Sequence, residues 1–313
     1  MRSILTVYRK ELADYFSSKK FIILLGLVYV AGLSSVYVSL QNIRAVATVY
    51  NENIFLRLFT TPGDVLPSFI TFISFFIPLI GIIFGFDSIN SEKVTGNLSR
   101  LLSQPIYRDS LINGKFLAGI TTMGIIIASI VFIISGIGLR VIGVPPSSEE
   151  ILRILIFIFI CIFYGTFWMG LSMLFSVIME KTATSILVSI ALWLFFMFFL
   201  PIIANAIANS LAPLENASAA IQIKNFTIGQ NILRISPSTL FSEAIMTLLI
   251  PVGGHFMLQP VMASDLSKMI LNPLSISQSL LQIWPQLIAI SALAIICFAI
   301  SYIIFMKQEI RAT

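Results

Sequence analysis

Long runs of apolar residues, separated by short polar and charged clusters, recur along the whole chain. A helix rises 1.5 Å per residue, so runs of about 18 residues or more can cross roughly 30 Å of hydrocarbon. The runs lack the alternating apolar and polar positions of transmembrane β-barrel strands. The pattern therefore predicts an all-α polytopic membrane protein, organised as a single transmembrane domain over residues 1–313. Its six membrane-spanning helices are predicted at residues 21–40, 66–86, 116–139, 151–178, 184–207 and 283–306.

The polar N-terminal segment, residues 1–20, has a helical pattern of its own. Apolar side chains recur on one face of the predicted helix, and charged side chains take the other face. Such a helix lies in the membrane interface, with its apolar stripe against the acyl chains and its cations near lipid phosphates. The alternative is an ordinary charged tail. The apolar face holds Ile4, Leu5, Tyr8, Leu12, Tyr15 and Phe16, and the charged face holds Arg2, Arg9, Lys10, Glu11 and Asp14.

The polar segment after the second span, residues 87–115, predicts a helical hairpin. Pro105 ends a first helix, and a second short helix can run over residues 108–113 and end at Gly114. Leucines on one face of the first helix, exposed outside the membrane, suggest a docking surface for another protein. The alternative is a surface loop whose leucines fold back on the bilayer. These leucines are Leu98, Leu101 and Leu102.

The longest predicted non-spanning segment, residues 208–282, keeps a high apolar content. It therefore predicts re-entrant or interface-lying helices instead of a soluble domain, with short helices at 238–249 and 263–271. Around the start of this segment, Asn205 and Asn209 are four residues apart and share one helix face. The two amides are candidates for lining an outward opening of a transport pathway. Alternatively, they only end the helix at the lipid headgroups.

Composition and charge set the topology. Of the 313 residues, 58% are hydrophobic and only 11% are charged, whereas soluble domains carry about 25% charged residues. With both termini inside the cell, twelve Lys and Arg fall in the inner segments, and seven, Arg153 among them, fall in the much longer outer segments. The positive-inside rule therefore predicts a cell-membrane protein with both termini and residues 87–115 cytoplasmic. The scattered positive charges form no basic run, which argues against nucleic acid as a partner.

The sequence contains no recognisable catalytic or metal-binding motif. Gly114-Lys115 is the only Gly-Lys pair, and it lacks the rest of a phosphate-binding P-loop. His255 is the single histidine and has no further ligand at metal-binding spacing. Cys161 and Cys297 both fall in predicted spans and form no CxxC site. These observations predict that the chain is not an enzyme and binds no cofactor or metal. The predicted spans contain essentially no ionisable residue, which argues against a secondary transporter.

The second span and the segment that follows it resemble the signature of ABC-2 type permeases. In that family a Phe-Asp pair, a Glu, a Gly-Thr-Leu, a Leu-Leu-Ser-x-Pro and a Gly-Lys recur in this order. Asn97 stands where the family usually has Thr. The pattern is also similar to the permease group that includes the transporter of nitrous oxide reductase maturation. In this chain the motifs are Phe86-Asp87, Glu92, Gly96-Asn97-Leu98, Leu101-Leu102-Ser103-Gln104-Pro105 and Gly114-Lys115.

The resemblance implies a six-span permease with an interfacial N-terminal elbow helix. It also implies a coupling helix between the second and third spans, within residues 87–115, which we call the coupling segment. This helix would dock in a groove of a cytosolic ATPase. Two such ATPase subunits, carrying ATP and Mg, would switch a homodimer or pseudo-dimer of the permease between inward and outward states. The resemblance assigns ATPase coupling to Glu92, Gly96, Leu98, Leu101, Leu102, Pro105, Arg108, Gly114 and Lys115.

The sequence therefore predicts the permease subunit of an ABC-2 type exporter that works with separate ATPase chains. One alternative is a mechanotransmission or scaffold subunit that acts on an extracytoplasmic partner. That role would favour an outer segment larger and more polar than residues 208–282. A secondary transporter is the less favoured alternative. Nothing in the sequence identifies the substrate.

Overall fold

The computed structural model describes residues 2–46, 54–61, 67–94, 107–143, 145–214, 218–250 and 274–308. Every regular element in these ranges is a helix. Six of the described helices are long and apolar enough to cross a membrane, so the predicted all-α polytopic fold is confirmed. A sharply bent pair of shorter helices would make a seventh span if the pair crossed as one.

The chain forms two compact units, one of residues 1–190 with 290–313 and one of residues 191–289. Most spans are longer than their apolar runs, because their first and last turns extend into polar sequence. The helices are α1 (Arg2–Ser17), α2 (Lys19–Val46), α3 (Ile54–Thr60), α4 (Phe69–Gly85), α5 (Asn90–Val94), α6 (Arg108–Ile142), α7 (Ser148–Ile178), α8 (Thr182–Leu194), a π-helical turn (Phe195–Phe199), α9 (Leu200–Leu211), α10 (Ala219–Leu233), α11 (Pro237–Leu249) and α12 (Ile276–Lys307).

Local signals define the ends of α6 and α7. Ser147 and Glu150 form a reciprocal capping box at the start of α7, in which each side chain accepts a hydrogen bond from the other's backbone N–H. Gly143 ends α6 in the left-handed conformation, with φ of 76°. The predicted helix end at Gly114 is wrong, because α6 starts at Arg108 and continues through this glycine. Gly114 lies instead where another helix approaches closely.

The centre of the first unit is the contact between α4 and α7, the two most buried of the candidate spans. A Cβ added to Gly81 would lie 2.6 Å from the carbonyl oxygen of Gly165, and one added to Gly85 would lie 2.5 Å from that of Met169. Backbone atoms cannot move aside as the end of a side chain can. Small residues therefore set the close approach of these two helices, as is common in membranes.

The start of α7 carries a buried polar cluster that the sequence did not predict. The backbone N–H of Phe55, in α3, donates to Glu150 Oε1 at 3.0 Å. Arg153 is fully buried, and its Nη2 lies 2.7 Å from Glu149 Oε1. Arg153 is therefore an exception to the prediction that the spans contain essentially no ionisable residue. Its assignment to the outer side of the membrane stays a prediction. A buried guanidinium is tolerated here because the half-exposed Glu149 carboxylate neutralises it.

The second unit contains the bent helix pair. The chain direction changes by 115° between α10 and α11. α11 lies where the sequence predicts a helix over residues 238–249, whereas α10 was not predicted. The helix predicted at 263–271 lies outside the described residues. The sharp bend agrees with the expectation of re-entrant helices, whose position in a membrane stays a prediction.

Polar contacts hold the second unit together. Glu243, on α11, accepts from Arg234 Nε at 2.9 Å and from Gln286 Nε2 at 3.0 Å. α9 packs against α10, and a Cβ added to Gly229 would lie 3.7 Å from the Cβ of Ala208, an ordinary contact distance. The unit therefore combines small-residue packing with one carboxylate that joins α11 to α12.

Candidate functional site

The candidate site is the base of the coupling segment, where its two ends leave the helices of the first unit. Residues 95–106 lie outside the described part of the chain. Five of the predicted coupling residues fall there, namely Gly96, Leu98, Leu101, Leu102 and Pro105. The other four are described: Glu92 lies in α5, and Arg108, Gly114 and Lys115 lie in the first turns of α6.

Three buried charges meet at this base. Lys115 Nζ lies 2.8 Å from Glu92 Oε1 and 2.9 Å from Glu11 Oε1. The exposed fractions of the three side chains are 6% for Lys115, 12% for Glu92 and 8% for Glu11. One lysine thus joins α6 to both α1 and α5. We call Glu11, Glu92 and Lys115 the ion cluster.

The sequence pattern placed Glu11 on the charged, solvated face of α1, and this prediction is wrong. Its side chain is buried against α6, while Lys10 and Asp14 on the same helix are exposed. The structural reason is that α1 packs along its Val7, Glu11 and Tyr15 positions, which are spaced at one helical turn. Burial of the carboxylate is possible because Lys115 supplies the counter-ion.

Gly114 is the point of closest approach between α1 and α6. A Cβ added there would lie 2.7 Å from Val7 Cγ1 and 3.2 Å from the backbone nitrogen of Tyr8. Hydrogen bonds follow on both sides of this contact. The Ser3 and Ser110 hydroxyls lie 2.8 Å apart, and the Tyr8 hydroxyl donates to Thr121 Oγ1 at 3.3 Å. Both residues of the Gly-Lys pair therefore contact α1. Gly114 allows the close approach of its backbone, and Lys115 binds the Glu11 carboxylate.

Tyr15, on the same face of α1 as Glu11, packs against the end of α4. Its ring packs edge-on against Phe84 with centroids 4.9 Å apart, and its hydroxyl donates a long hydrogen bond of 3.4 Å to the Phe84 carbonyl. Burial raises the pKa of the Tyr15 hydroxyl well above its usual range, and the carboxylates of Glu11, Asp87 and Glu92 raise it further. The surroundings of the hydroxyl are therefore dry and rich in negative charge.

The chain between α4 and α5 is bound to the end of α7. Ser176 Oγ accepts from the backbone N–H groups of Ile89 and Asn90, at 3.0 and 3.2 Å. The Asn90 side chain is fully buried, and its Nδ2 lies 3.5 Å from the Met179 carbonyl oxygen. The start of the coupling segment is thus held by the end of α7 as well as by α4.

Both ends of the 95–106 stretch also reach the C-terminal end of α12. Lys93 Nζ donates to Gln308 Oε1 at 2.6 Å and to the Val177 carbonyl at 3.0 Å. Arg108 Nη1 donates to the Gln308 carbonyl at 2.9 Å. Gln308 Nε2 donates to the Val177 carbonyl at 2.9 Å. The base of the coupling segment therefore contacts α1, α7 and the last residues of α12.

Comparison of the sequence with models of known protein families identifies the family of this chain. A family model described as an ABC-2 family transporter protein matches residues 5–310, which is nearly the whole chain. The chain belongs to the ABC-2 transporter family. No curated protein matches it significantly. The family, together with six apolar helices, supports a membrane permease subunit and implies association with ABC ATPase partners. The narrower likeness to the nitrous oxide reductase group stays a prediction.

Several residues at this base of the ABC-2 permease were not among the predicted coupling residues. Glu11 could have been found, because it lies on the same helical stripe as Ile4, Tyr8 and Tyr15. A carboxylate on an otherwise apolar stripe indicates a buried cation nearby. Ser176 and Gln308 carried no comparable signal, since the groups that they bind are distant in sequence.

The two amides predicted to line a pathway lie on α9 of the permease. Asn205 and Asn209 are both exposed in the single chain. Asn209 Oδ1 accepts from Asn225 Nδ2 at 2.8 Å, and the same Nδ2 donates to the Ala212 carbonyl at 2.8 Å. Asn209 therefore binds α10, while a pathway-lining role for either amide stays a prediction.

Within the described ranges, no group of three or more His, Cys, Asp or Glu residues is placed to hold a metal ion. His255 lies outside those ranges. Cys161, in α7, and Cys297, in α12, are free thiols.

Proposed function

We propose that this chain is the permease subunit of an ATP-driven exporter and forms the translocation pathway as a dimer. Two separate cytosolic ABC ATPase subunits, which carry ATP and Mg, drive it through the coupling segment. Family membership supports a permease that associates with ABC ATPases. We propose in addition that the permease is a dimer, that it exports its substrate, and that the coupling residues bind the ATPase.

The observation that carries the proposal is the ion cluster at the base of the coupling segment. A docking segment transmits force only if its base does not yield when the segment is pushed. Removing one partner of a buried ion pair costs about 3–5 kcal/mol, because the remaining charge is left buried without compensation. Lys115 makes two such contacts, to α1 and α5, so these three elements move together.

The leucine face predicted on residues 98–102 is the part that enters the ATPase groove. Apolar side chains in the cytosol gain free energy when another protein covers them. In the proposed cycle, closure of the ATPases on ATP displaces this face. The ion cluster then carries the displacement into α1 and α6, whose movement opens the permease to the other side of the membrane.

The proposed orientation puts α1, the coupling segment and Gln308 in the cytosol. Their mutual contacts support a common side, and the excess of Lys and Arg in these segments supports the cytosolic one. We expect Ser99→Cys to react with an impermeant maleimide only after cells are permeabilised. The wild-type chain, whose two cysteines lie in spans, gives the background. Equal labelling of Ser99→Cys in intact cells would reject this orientation.

The experiment that tests the function is reconstitution with the cognate ATPase. We expect the purified chain alone to hydrolyse no ATP, because it has no P-loop. Combined with its ATPase in lipid nanodiscs, the complex should hydrolyse ATP, and vanadate should inhibit that activity. Sustained hydrolysis by the contaminant-free chain, or no association with any ABC ATPase, would contradict the proposal.

A further inference from the structure

Gln308 is the meeting point of both ends of the 95–106 stretch. Its Oε1 accepts from Lys93, which lies two residues before that stretch, at 2.6 Å. Its backbone carbonyl accepts from Arg108, which lies two residues after it, at 2.9 Å. Its Nε2 donates to the Val177 carbonyl on α7 at 2.9 Å. One residue thus joins α5, α6 and α7 to the end of α12.

The chemistry of helix ends explains why these contacts are favourable. The last four carbonyls of a helix have no intrahelical donor, and they carry the negative end of the helix dipole. Val177 lies at the end of α7, and Gln308 directly follows α12. Lys93 and Arg108 supply cationic donors to these two ends. Hydrogen bonds from a charged donor are shorter and stronger than neutral ones.

The ion cluster does not include α12. Its three side chains belong to α1, α5 and α6. Other contacts of α12 among the described residues lie farther along the helix, such as the stacked rings of Phe116 and Phe298. The hydrogen bonds of Gln308 give α12 a direct connection to both ends of that stretch.

We infer that Gln308 is a positioning residue that fixes both ends of the 95–106 stretch to the ends of α7 and α12. Through it, ATPase-driven displacement of the coupling segment moves α12 together with α6. The inference rests on the proposed function and specifies which residue connects the coupling segment to the last span.

The test uses three substitutions in the permease–ATPase complex. Gln308→Leu removes the acceptor for Lys93 and the donor to Val177 at similar side-chain volume. Gln308→Glu keeps the acceptor for Lys93. Lys307→Leu is the matched control, because Lys307 is the exposed neighbour on the same helix end. The rate of ATP hydrolysis is measured at a fixed permease concentration while the ATPase subunit is titrated. The maximal stimulation of ATP hydrolysis by the permease is then obtained separately from the ATPase concentration that gives half of it, which reports the affinity of docking.

We expect Gln308→Leu to lower maximal stimulation roughly tenfold, as the loss of hydrogen bonds to a charged group predicts. The half-saturating ATPase concentration should stay within about twofold, because the leucine face is intact. Gln308→Glu should recover at least half of the stimulation, and Lys307→Leu should match wild type. Wild-type stimulation by Gln308→Leu, or equal losses with Leu and Glu, would overturn the inference.

A second measurement needs only the purified chain. Thermal unfolding in detergent is compared for Lys93→Met, Gln308→Leu and the double variant. Each side chain also binds the Val177 carbonyl by itself. If the two side chains in addition act through their mutual contact, the double variant should lose clearly less thermal stability than the sum of the two single losses. Additive losses would overturn the inference even if the ATPase binds. If the wild-type chain stimulates ATP hydrolysis by no ABC ATPase, the proposed function fails. The comparison of the single and double variants still decides whether Gln308 binds Lys93.

Discussion

Replacing Lys115 by methionine should destabilise the purified permease by about 3–5 kcal/mol, because Glu92 would lose the Lys115 ammonium and buried Glu11 would keep only the exposed Lys10. Glu11 and Glu92 both lie within 3 Å of Lys115 Nζ, at 2.9 and 2.8 Å. Thermal unfolding in detergent, followed by size-exclusion chromatography, measures the loss.

Lys10→Met is the matched control for this substitution. Lys10 also contacts Glu11, at 3.0 Å, and Asp14, at 3.1 Å, but 55% of its side chain is exposed. Exposed ion pairs contribute about 0–1 kcal/mol, so the control should lose little stability. If Lys115→Met is no more destabilising than Lys10→Met, the ion cluster does not hold the base together.

A triple variant separates charge from packing. Lys115→Met combined with Glu11→Leu and Glu92→Leu removes all three charges at similar volume. Apolar replacement of a whole buried ion cluster is often neutral, so most of the lost stability should return. If the triple variant is less stable than Lys115→Met alone, the side chains stabilise the base in some way other than by mutual neutralisation.

The six spans could be predicted from the sequence because the thickness of hydrocarbon imposes a minimum apolar length on each helix. Their ends were harder to predict, since a helix can continue into polar sequence once it leaves the membrane. α6, for example, starts at Arg108, whereas its apolar run starts at residue 116. The short α3 escaped prediction because seven residues show little periodicity, and α10 because its apolar face is weakly marked.

The base of the coupling segment could be predicted only in part. Glu92, Gly114 and Lys115 were identified through the family pattern, which follows the order of residues along the chain. Glu11 was assigned to the charged face of α1 by its residue type, although its helical position lies on the apolar stripe with Ile4, Tyr8 and Tyr15. Gln308 contacts Val177 and Arg108, which lie 131 and 200 positions before it in the sequence, and no periodicity predicts such contacts.

The second large effect concerns the leucine face of the coupling segment. Burying each leucine in an ATPase groove should contribute about 1.5–3 kcal/mol. Leu101→Asp with Leu102→Asp would place two unpaired charges in that dry contact, which is costly. Binding should weaken at least about a hundredfold, since each 1.4 kcal/mol is a factor of ten. Leu101→Ala with Leu102→Ala removes apolar area without adding charge and should weaken binding less.

The central claim, that the coupling segment is where an ABC ATPase binds and drives this permease, is tested most directly by one titration. The cognate ATPase is added to the permease in nanodiscs, and the Kd is measured for wild type and for the double aspartate variant. Lys268→Ala, in the predicted outer segment, serves as the control and should leave the Kd unchanged. The account predicts a Kd at least about a hundredfold higher for the double aspartate variant, while that variant still inserts and dimerises. An unchanged Kd, together with wild-type stimulation of ATP hydrolysis, would show that residues 98–102 do not dock the ATPase and would contradict the proposed mechanism.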